Sequence, residues 1–384
     1  MSTLTLKRYD RRIARIPESI VMQMIGFCNL ACRYCYLPDK DDKRPMSAEV
    51  AKAVADSIWK MEPLLGAGPI TLIWHAGEPL AMGVERFTAI LDIFEELRLR
   101  GLVRHSLQTN ATLINDAWVD LFEAREMQVG VSIDGPADLN QDRVDRRGRP
   151  AFDRIMRGIE RLRARDFPFT VIAVVTASAP ARATELLDFI AGLGPQLIAL
   201  SIEEKEGANT TDVAISPDQA RVFWQDVLAW VRAAGSAGVP VRETDRLGKF
   251  LAYNPEERRG MLSKFRINPI PTVAINGDVV LLSPELAGIS SETYGDFLAG
   301  NILKKDIPSI LGSAHELRYV QEYLESLDNC ESRCAFYSYC LGAQASPRYF
   351  EHGSFVPSET QCCRVSEQAL VKALATTITK EKTA

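Results

Sequence analysis

The chain has 384 residues, of which 46% are hydrophobic and 25% charged, and carries a formal net charge of −5. It is too long for one domain of ~100–200 residues and suits an α/β barrel with a smaller module attached. The acidic balance offers no electrostatic footprint for nucleic acid or an anionic membrane, and no apolar run reaches the ~18 residues of a membrane span, so a cytoplasmic protein with neither partner is expected.

Residues 1–19 read as an N-terminal extension, with basic residues but no continuous apolar segment or cleavage site of a signal peptide. From residue 20 short β-branched runs alternate with amphipathic segments, the pattern of βα units and a parallel sheet. Strands are predicted at 20–25, 70–74, 103–108, 129–133, 170–175 and 197–202. Helices are predicted at 47–65, 84–98, 116–126, 152–165 and 182–193, each with apolar residues at i, i+3 and i+4. Ser216-Pro217-Asp218-Gln219 reads as a capping box opening a helix to about Ala234. These units occupy residues 20–235; residues 236–269, mixed and charged, read as a connector. Residues 270–384 begin a second module at a hairpin, with Asn276-Gly277-Asp278 between two apolar runs and a frayed tail from Thr376.

Eight cysteines in an unsecreted chain point to metal or redox roles rather than disulfides, and they form two groups. The first lies within the run Cys28-Asn29-Leu30-Ala31-Cys32-Arg33-Tyr34-Cys35-Tyr36. Iron-sulfur cubanes are normally held by four thiolates, so three in one loop leave an iron open to a small molecule. A zinc knuckle is the alternative, although no second pair or histidine stands near.

With its Cys-x3-Cys-x2-Cys spacing and Tyr34 before the third cysteine, this run resembles the signature of the radical S-adenosylmethionine (SAM) superfamily. The resemblance implies a partial (β/α)6 barrel, a four-iron four-sulfur cluster on Cys28, Cys32 and Cys35, and SAM chelated at the open iron. One electron from the cluster would then break the sulfonium to give methionine and a 5′-deoxyadenosyl radical. In such sheets ligands gather at the carboxyl ends of the strands, where the remaining motifs also fall. Gly77-Glu78-Pro79 resembles the family's Gly-Gly-Glu-Pro motif, with Ala76 in place of the first glycine, and implies a hold on the SAM amino group. Ser132, followed by Asp134, resembles the strand-four motif that approaches the ribose. An arginine usually follows to pair with the SAM carboxylate. Arg143 is the candidate, the alternative being a solvated basic loop with Arg146, Arg147 and Arg149. Gln108 and Asn110 could hydrogen-bond SAM or satisfy strand-end backbone groups.

The second group is Cys330-x3-Cys334-x5-Cys340 followed by Cys362-Cys363. A tetrathiolate zinc site is one reading. The arrangement also resembles the SPASM auxiliary-cluster extension of radical SAM enzymes that modify peptides. Full SPASM modules hold two auxiliary clusters, and the cysteine needed four residues after the third is here Gln344. The implied complement is therefore one SAM-binding and one auxiliary four-iron four-sulfur cluster, the latter on Cys330, Cys334, Cys340 and one of the final pair. Cys363 is favoured on the spacing of the cyclophane-forming maturases.

Ser283-Pro284-Glu285-Leu286, Tyr294-Gly295-Asp296-Phe297 and Tyr349 to Phe355 resemble those maturases, as do Ile202-Glu203-Glu204 and Glu206-Gly207. Glu203 and Glu204 could face substrate or form a solvated acidic turn. The function implied is carbon–carbon crosslinking of an aromatic ring to a side-chain β-carbon in a ribosomal precursor peptide, with reduced flavodoxin or ferredoxin as electron donor. The alternatives are a formylglycine-generating sulfatase-type maturase, a thioether-forming maturase, and a non-enzymatic iron-sulfur or zinc redox sensor.

Overall fold

The computed structural model describes residues 3–66, 68–210, 215–235 and 238–383, with side chains from residue 6 to 379. The first two residues of the expected extension and of the expected connector, and residue 384, lie outside the described residues.

Six parallel strands lie side by side in chain order: β1 Ser19–Gln23, β2 Ile70–His75, β3 Val103–Thr109, β4 Gln128–Ser132, β5 Phe169–Val175 and β6 Ile198–Ile202. Each crossover carries at least one helix: α2 Ala48–Met61, α3 Val84–Ile93 with α4 Glu95–Leu99, α5 Asp116–Ala124, α6 Phe152–Ala164 and α7 Ala183–Gly192. α1 (Thr3–Arg12) precedes the sheet and α8 (Pro217–Ala234) follows it. The strands alternate in burial. In β3 and β5, Val103, His105 and Leu107, and likewise Val171, Ala173 and Val175, are buried under the helices; Ser106, Gln108, Ile172 and Val174 between them are only partly covered. A period of two thus separates a helix-packed outer face from an inner face left open as a chamber.

The predicted elements form with local changes. The first strand stops at Gln23, and Ile25 instead makes an isolated antiparallel bridge to Pro45. The helix expected over 84–98 divides at Phe94, which caps α3 and opens α4 with φ −100° and ψ 0°. Ser216 and Gln219 exchange both hydrogen bonds of the capping box.

Three contacts join regions that look separate in sequence. The hairpin of β7 (Thr272–Val273) and β8 (Asp278–Val280) turns at Asn276-Gly277, but β7 also pairs in parallel with β1, and β9 (Gly300–Asn301) completes one nine-stranded sheet. Within 236–269 lie two helices, α9 (Arg242–Ala252) and α10 (Pro255–Lys264), the latter opened by an Asn254/Glu257 capping box. In the extension, Ile13 bridges Ile267, and Arg12, 8% exposed, bonds Asp328 at 2.6 Å and also Glu331. Both carboxylates belong to α12 (Arg318–Arg333), which follows α11 (Ile307–Ser313). The remaining helices are α13 (Tyr337–Cys340), α14 (Ser346–His352) and α15 (Ala369–Thr383), so the tail from Thr376 is helical.

Candidate functional site

The loop after β1 folds back on the loop after β4. Ala31 N donates to Val144 O at 2.8 Å and Arg33 N to Asp142 O at 3.0 Å, while Arg146 donates to the carbonyls of Cys28 and Lys40. This pairing turns Arg143 inward. It is 6% exposed, donates to Asp134 Oδ1 at 2.8 Å and lies over the Tyr34 ring at 5.5 Å. Asp134 is fully committed: Oδ1 also accepts from Val174 N, and Oδ2 accepts from the Tyr34 hydroxyl. Tyr34 and Asp134 therefore clamp the cysteine loop to β4 and β5 and hold the guanidinium beside Cys32, whose thiol feels its charge.

The turn after β2 packs on the same loop from the other side. Gly77 has φ 63°, and a side chain there would begin 2.4 Å from Ile25 O and 2.7 Å from Phe27 O, so only glycine lets the two backbones approach this closely. Ala76 also has a positive φ, 70°. The buried Glu78 carboxylate accepts from Leu80 N, the Thr109 hydroxyl and Asn110 N. Burial nevertheless pushes its carboxyl up to about 7 against those three donors. Pro79 opens the short turn that Glu78 caps. Asn110 reaches Asn29 Oδ1 at 2.9 Å and lies 3.9 Å from Cys28 Sγ. One layer deeper, Gln108 donates to Ser132 Oγ at 2.7 Å across the inner face.

Every residue proposed from the sequence for SAM and its cluster thus converges at the carboxyl ends of β1 to β4. The donor set suits an iron-sulfur cluster. Three thiols share one loop, Leu30 N–H approaches Cys28 Sγ at 3.4 Å, the Asn110 amide lies 3.9 Å from the same sulfur, and the Arg143 charge stands beside Cys32.

The C-terminal thiols divide. Cys330, Cys334, Cys340 and Cys363 line one cavity in the second module. Cys330 comes from α12, Cys334 caps that helix, and Cys340 ends α13. Cys363 opens a π-helical turn, Cys363–Gln368, whose Val365 carbonyl is taken by Trp224 Nε1 at 2.8 Å. N–H groups face these sulfurs: Gly342 N lies 3.4 Å from Cys340 Sγ, and Thr360 N 3.4 Å from Cys363 Sγ. Cys362 does not line that cavity. Its amide donates to Glu351 at 3.0 Å, and burial, with the nearby Glu204 carboxylate, pushes its thiol up. Among the described residues, no three His, Cys, Asp or Glu side chains gather around the position of a single metal ion. Four thiols around one cavity, with N–H donors aimed at sulfur, suit a cluster.

Sequence reasoning missed the wall between the two sites. Gly207, with φ 56°, packs where a side chain would start 2.1 Å from Tyr36 O, and Ala208 N bonds that carbonyl at 2.7 Å. This contact brings Glu206 and Glu285 close to Tyr36, next to Cys35, with Glu204 beside them on the side of Cys362. Burial pushes the Glu204 carboxyl up to about 7, with Glu285 and Glu351 adding to it. Glu203 takes a separate direction and accepts from Asn209 at 3.4 Å. The Glu203-Glu204 and Glu206-Gly207 pairs were a partial signal. Tyr36 and His75, whose side chains meet at 3.3 Å, gave none.

Comparison with known proteins agrees with this geometry. Residues 22–190 match the model of the radical SAM superfamily, which spans β1 to α7. An uncharacterised protein of Synechocystis sp., sll1766, is 32% identical over 367 residues, covering 92% of this chain and 90% of that protein. The serine-type anaerobic sulfatase-maturating enzyme of Klebsiella aerogenes is 34% identical over 199 residues, a match spanning 50% of this chain and only 48% of that enzyme. In fold, the solved structure of anSMEcpe with bound AdoMet and Cp18Cys peptide superposes with a TM-score of 0.75 at 19% identity, covering 95% of this chain and 99% of that one. The whole architecture is therefore the α/β partial barrel of radical SAM proteins with a C-terminal region resembling the SPASM domain. No helix among the described residues is long and apolar enough to cross a membrane. With the three-cysteine loop, the Glu78 turn and the Arg143 clamp gathered at one end of that barrel, the chain belongs to the radical SAM superfamily of enzymes, as a relative of the anaerobic sulfatase-maturating enzymes.

Proposed function

We propose that this enzyme installs a carbon–carbon crosslink, a cyclophane, between an aromatic ring and a side-chain β-carbon of a ribosomal precursor peptide. The observation that carries the reading is the single four-thiol cavity of Cys330, Cys334, Cys340 and Cys363, with Gln344 where a second auxiliary cluster would need a cysteine. Cys28, Cys32 and Cys35 are assigned to the first cluster. Gly77, Glu78, Pro79, Gln108, Asn110, Ser132 and Arg143 surround the SAM position, and Tyr34 and Asp134 hold Arg143 in place. SAM and the two clusters would supply the hydrogen-abstracting radical and the route for the surplus electron. The chain orients the peptide at the carboxyl ends of the strands, and its half-open inner face, lined by Ser106, Gln108, Ser132 and Val174, is the chamber that receives it. Peptide as substrate is supported by the anSMEcpe complex with Cp18Cys peptide, and reduced flavodoxin or ferredoxin is proposed as the electron donor.

Formylglycine formation is the second reading, favoured by the 34% identity to the Klebsiella enzyme. Crosslinking removes two hydrogens from the peptide, but so does oxidation of serine to formylglycine, and mass alone does not separate them. The test is a search of the neighbouring reading frames for a short precursor with an aromatic-containing segment, coexpression with it, and then tandem mass spectrometry and hydrazide labelling. Crosslinking predicts loss of two hydrogens, suppressed fragmentation across a short segment with an aromatic residue, and no labelling. A hydrazide-reactive aldehyde, or a sulfur-to-carbon link that needs a cysteine of the peptide, would refute it.

A further inference from the structure

The four-thiol cavity contains a charged side chain that neither the fold nor the proposed reaction has used. Arg348, on α14, is 2% exposed. Its Nη2 donates to Gly342 O at 2.7 Å and stands 3.8 Å from Cys330 Sγ, and its Nη1 donates to the Gln344 carbonyl. The guanidinium lies over the Tyr323 ring at 5.0 Å, and its Nε is buried without a partner. Its hydrogen-bond partners are thus two carbonyls and a sulfur; the carboxylate that lines the same cavity, Glu367, is paired with Arg246 instead.

A guanidinium cannot shed its proton, and burying one without a counter-charge costs several kcal/mol. A cluster on four thiolates is anionic and would supply that counter-charge inside the same cavity. We propose that Arg348 is the resident cation of the auxiliary cluster and raises its reduction potential, as a positioning residue and not a ligand. The inference rests on the assignment of Cys330, Cys334, Cys340 and Cys363 as ligands. Adding one electron makes an anionic cluster more so, and a fixed positive charge in a low-dielectric site favours that reduced state, as does an N–H aimed at a ligating sulfur. An auxiliary cluster that must accept an electron from a substrate radical gains driving force from such a neighbour.

The test uses the full chain carrying Cys28→Ala, Cys32→Ala and Cys35→Ala, so that only the auxiliary site remains, with Arg348, Arg348→Lys and Arg348→Met compared. Iron and sulfide are counted, and the midpoint potential is read by electron paramagnetic resonance during a redox titration. We expect about four iron atoms in each protein, and a potential that falls in Arg348→Met and falls less in Arg348→Lys. Retention of the cluster in the lysine variant alone would equally support the counter-charge role. Equal potentials in the arginine and methionine proteins would overturn it, and so would loss of the cluster from both variants, which would mark Arg348 as scaffold. A parent protein with no four-iron cluster would instead overturn the ligand assignment, and this inference with it.

Discussion

The two thiol sites of this chain are built on opposite plans. At the barrel, three cysteines sit on one loop whose shape is imposed from outside, by the Gly77 turn on one flank and the Asp134–Arg143 pair on the other. In the second module four cysteines, two from α12 and its cap, one from α13 and one from the π-helical turn, line a cavity with Arg348 buried among them. On the proposed assignment, three thiols on a braced loop would leave a coordination position, with polar groups around it that can hold a small molecule. Four thiols around one cavity would, on the same assignment, leave none, and the nearby charge and N–H donors would bear on the charge and potential of the cluster. Site-directed changes should separate the plans.

The largest effect is expected at the first site. Replacing Cys28, Cys32 and Cys35 together by alanine should abolish 5′-deoxyadenosine formation, measured by chromatography after anaerobic reduction, while the auxiliary site keeps its iron; residual SAM cleavage would break the distinction. Next, Cys363→Ala should lose about half of the bound iron, whereas Cys362→Ala should keep it, because Cys362 lies near Glu204 and does not line the cavity. The reverse result would exchange the two assignments.

A third change sharpens the bracing. Asp134→Ala leaves Arg143 buried without its carboxylate, which should cost about 3–5 kcal/mol in urea unfolding of the apoprotein; a loss below about 1 kcal/mol, the range of exposed pairs, would mean that the clamp is not buried in solution. The smallest effect concerns the wall between the sites. Glu204 is held up to about 7 by burial, against an ordinary value of 4.5. The folded protein then keeps a proton that the unfolded chain has released, so stability should fall as pH rises from about 4.5 to about 7. Glu204→Gln should make that part of the unfolding profile less steep, with Glu78, also held up to about 7, contributing the remainder. An unchanged slope would place the titration elsewhere.

Much of the barrel was legible because its signals are local. Apolar runs such as Ile70 to Trp74 mark strands, Ser216 and Gln219 mark a helix start, and each motif follows its strand within a few residues. What stayed hidden depends on contacts far apart in sequence. Nothing around Thr272 announces that β7 will pair with β1, and nothing in the basic N-terminal stretch says that Arg12 will be buried against α12. The helices at 242–264 were missed because α9 lacks a side-chain cap and no residue of α10 is buried, although Asn254-Pro255 with Glu257 is a readable cap. Arg348 shows the same limit at the site. Charged residues are rarely buried, so in Ser346-Pro347-Arg348-Tyr349 the arginine reads as surface, and only the assembled cavity shows what it faces.

The contrast between an open three-thiol site and a closed four-thiol site is tested most directly by the metal content of the anaerobically reconstituted protein. About eight iron and eight sulfide atoms per chain, with SAM altering the spectrum of one four-iron cluster and leaving the other unchanged, is the predicted result. About twelve iron atoms, or about four with one equivalent of zinc in the second module, would contradict it.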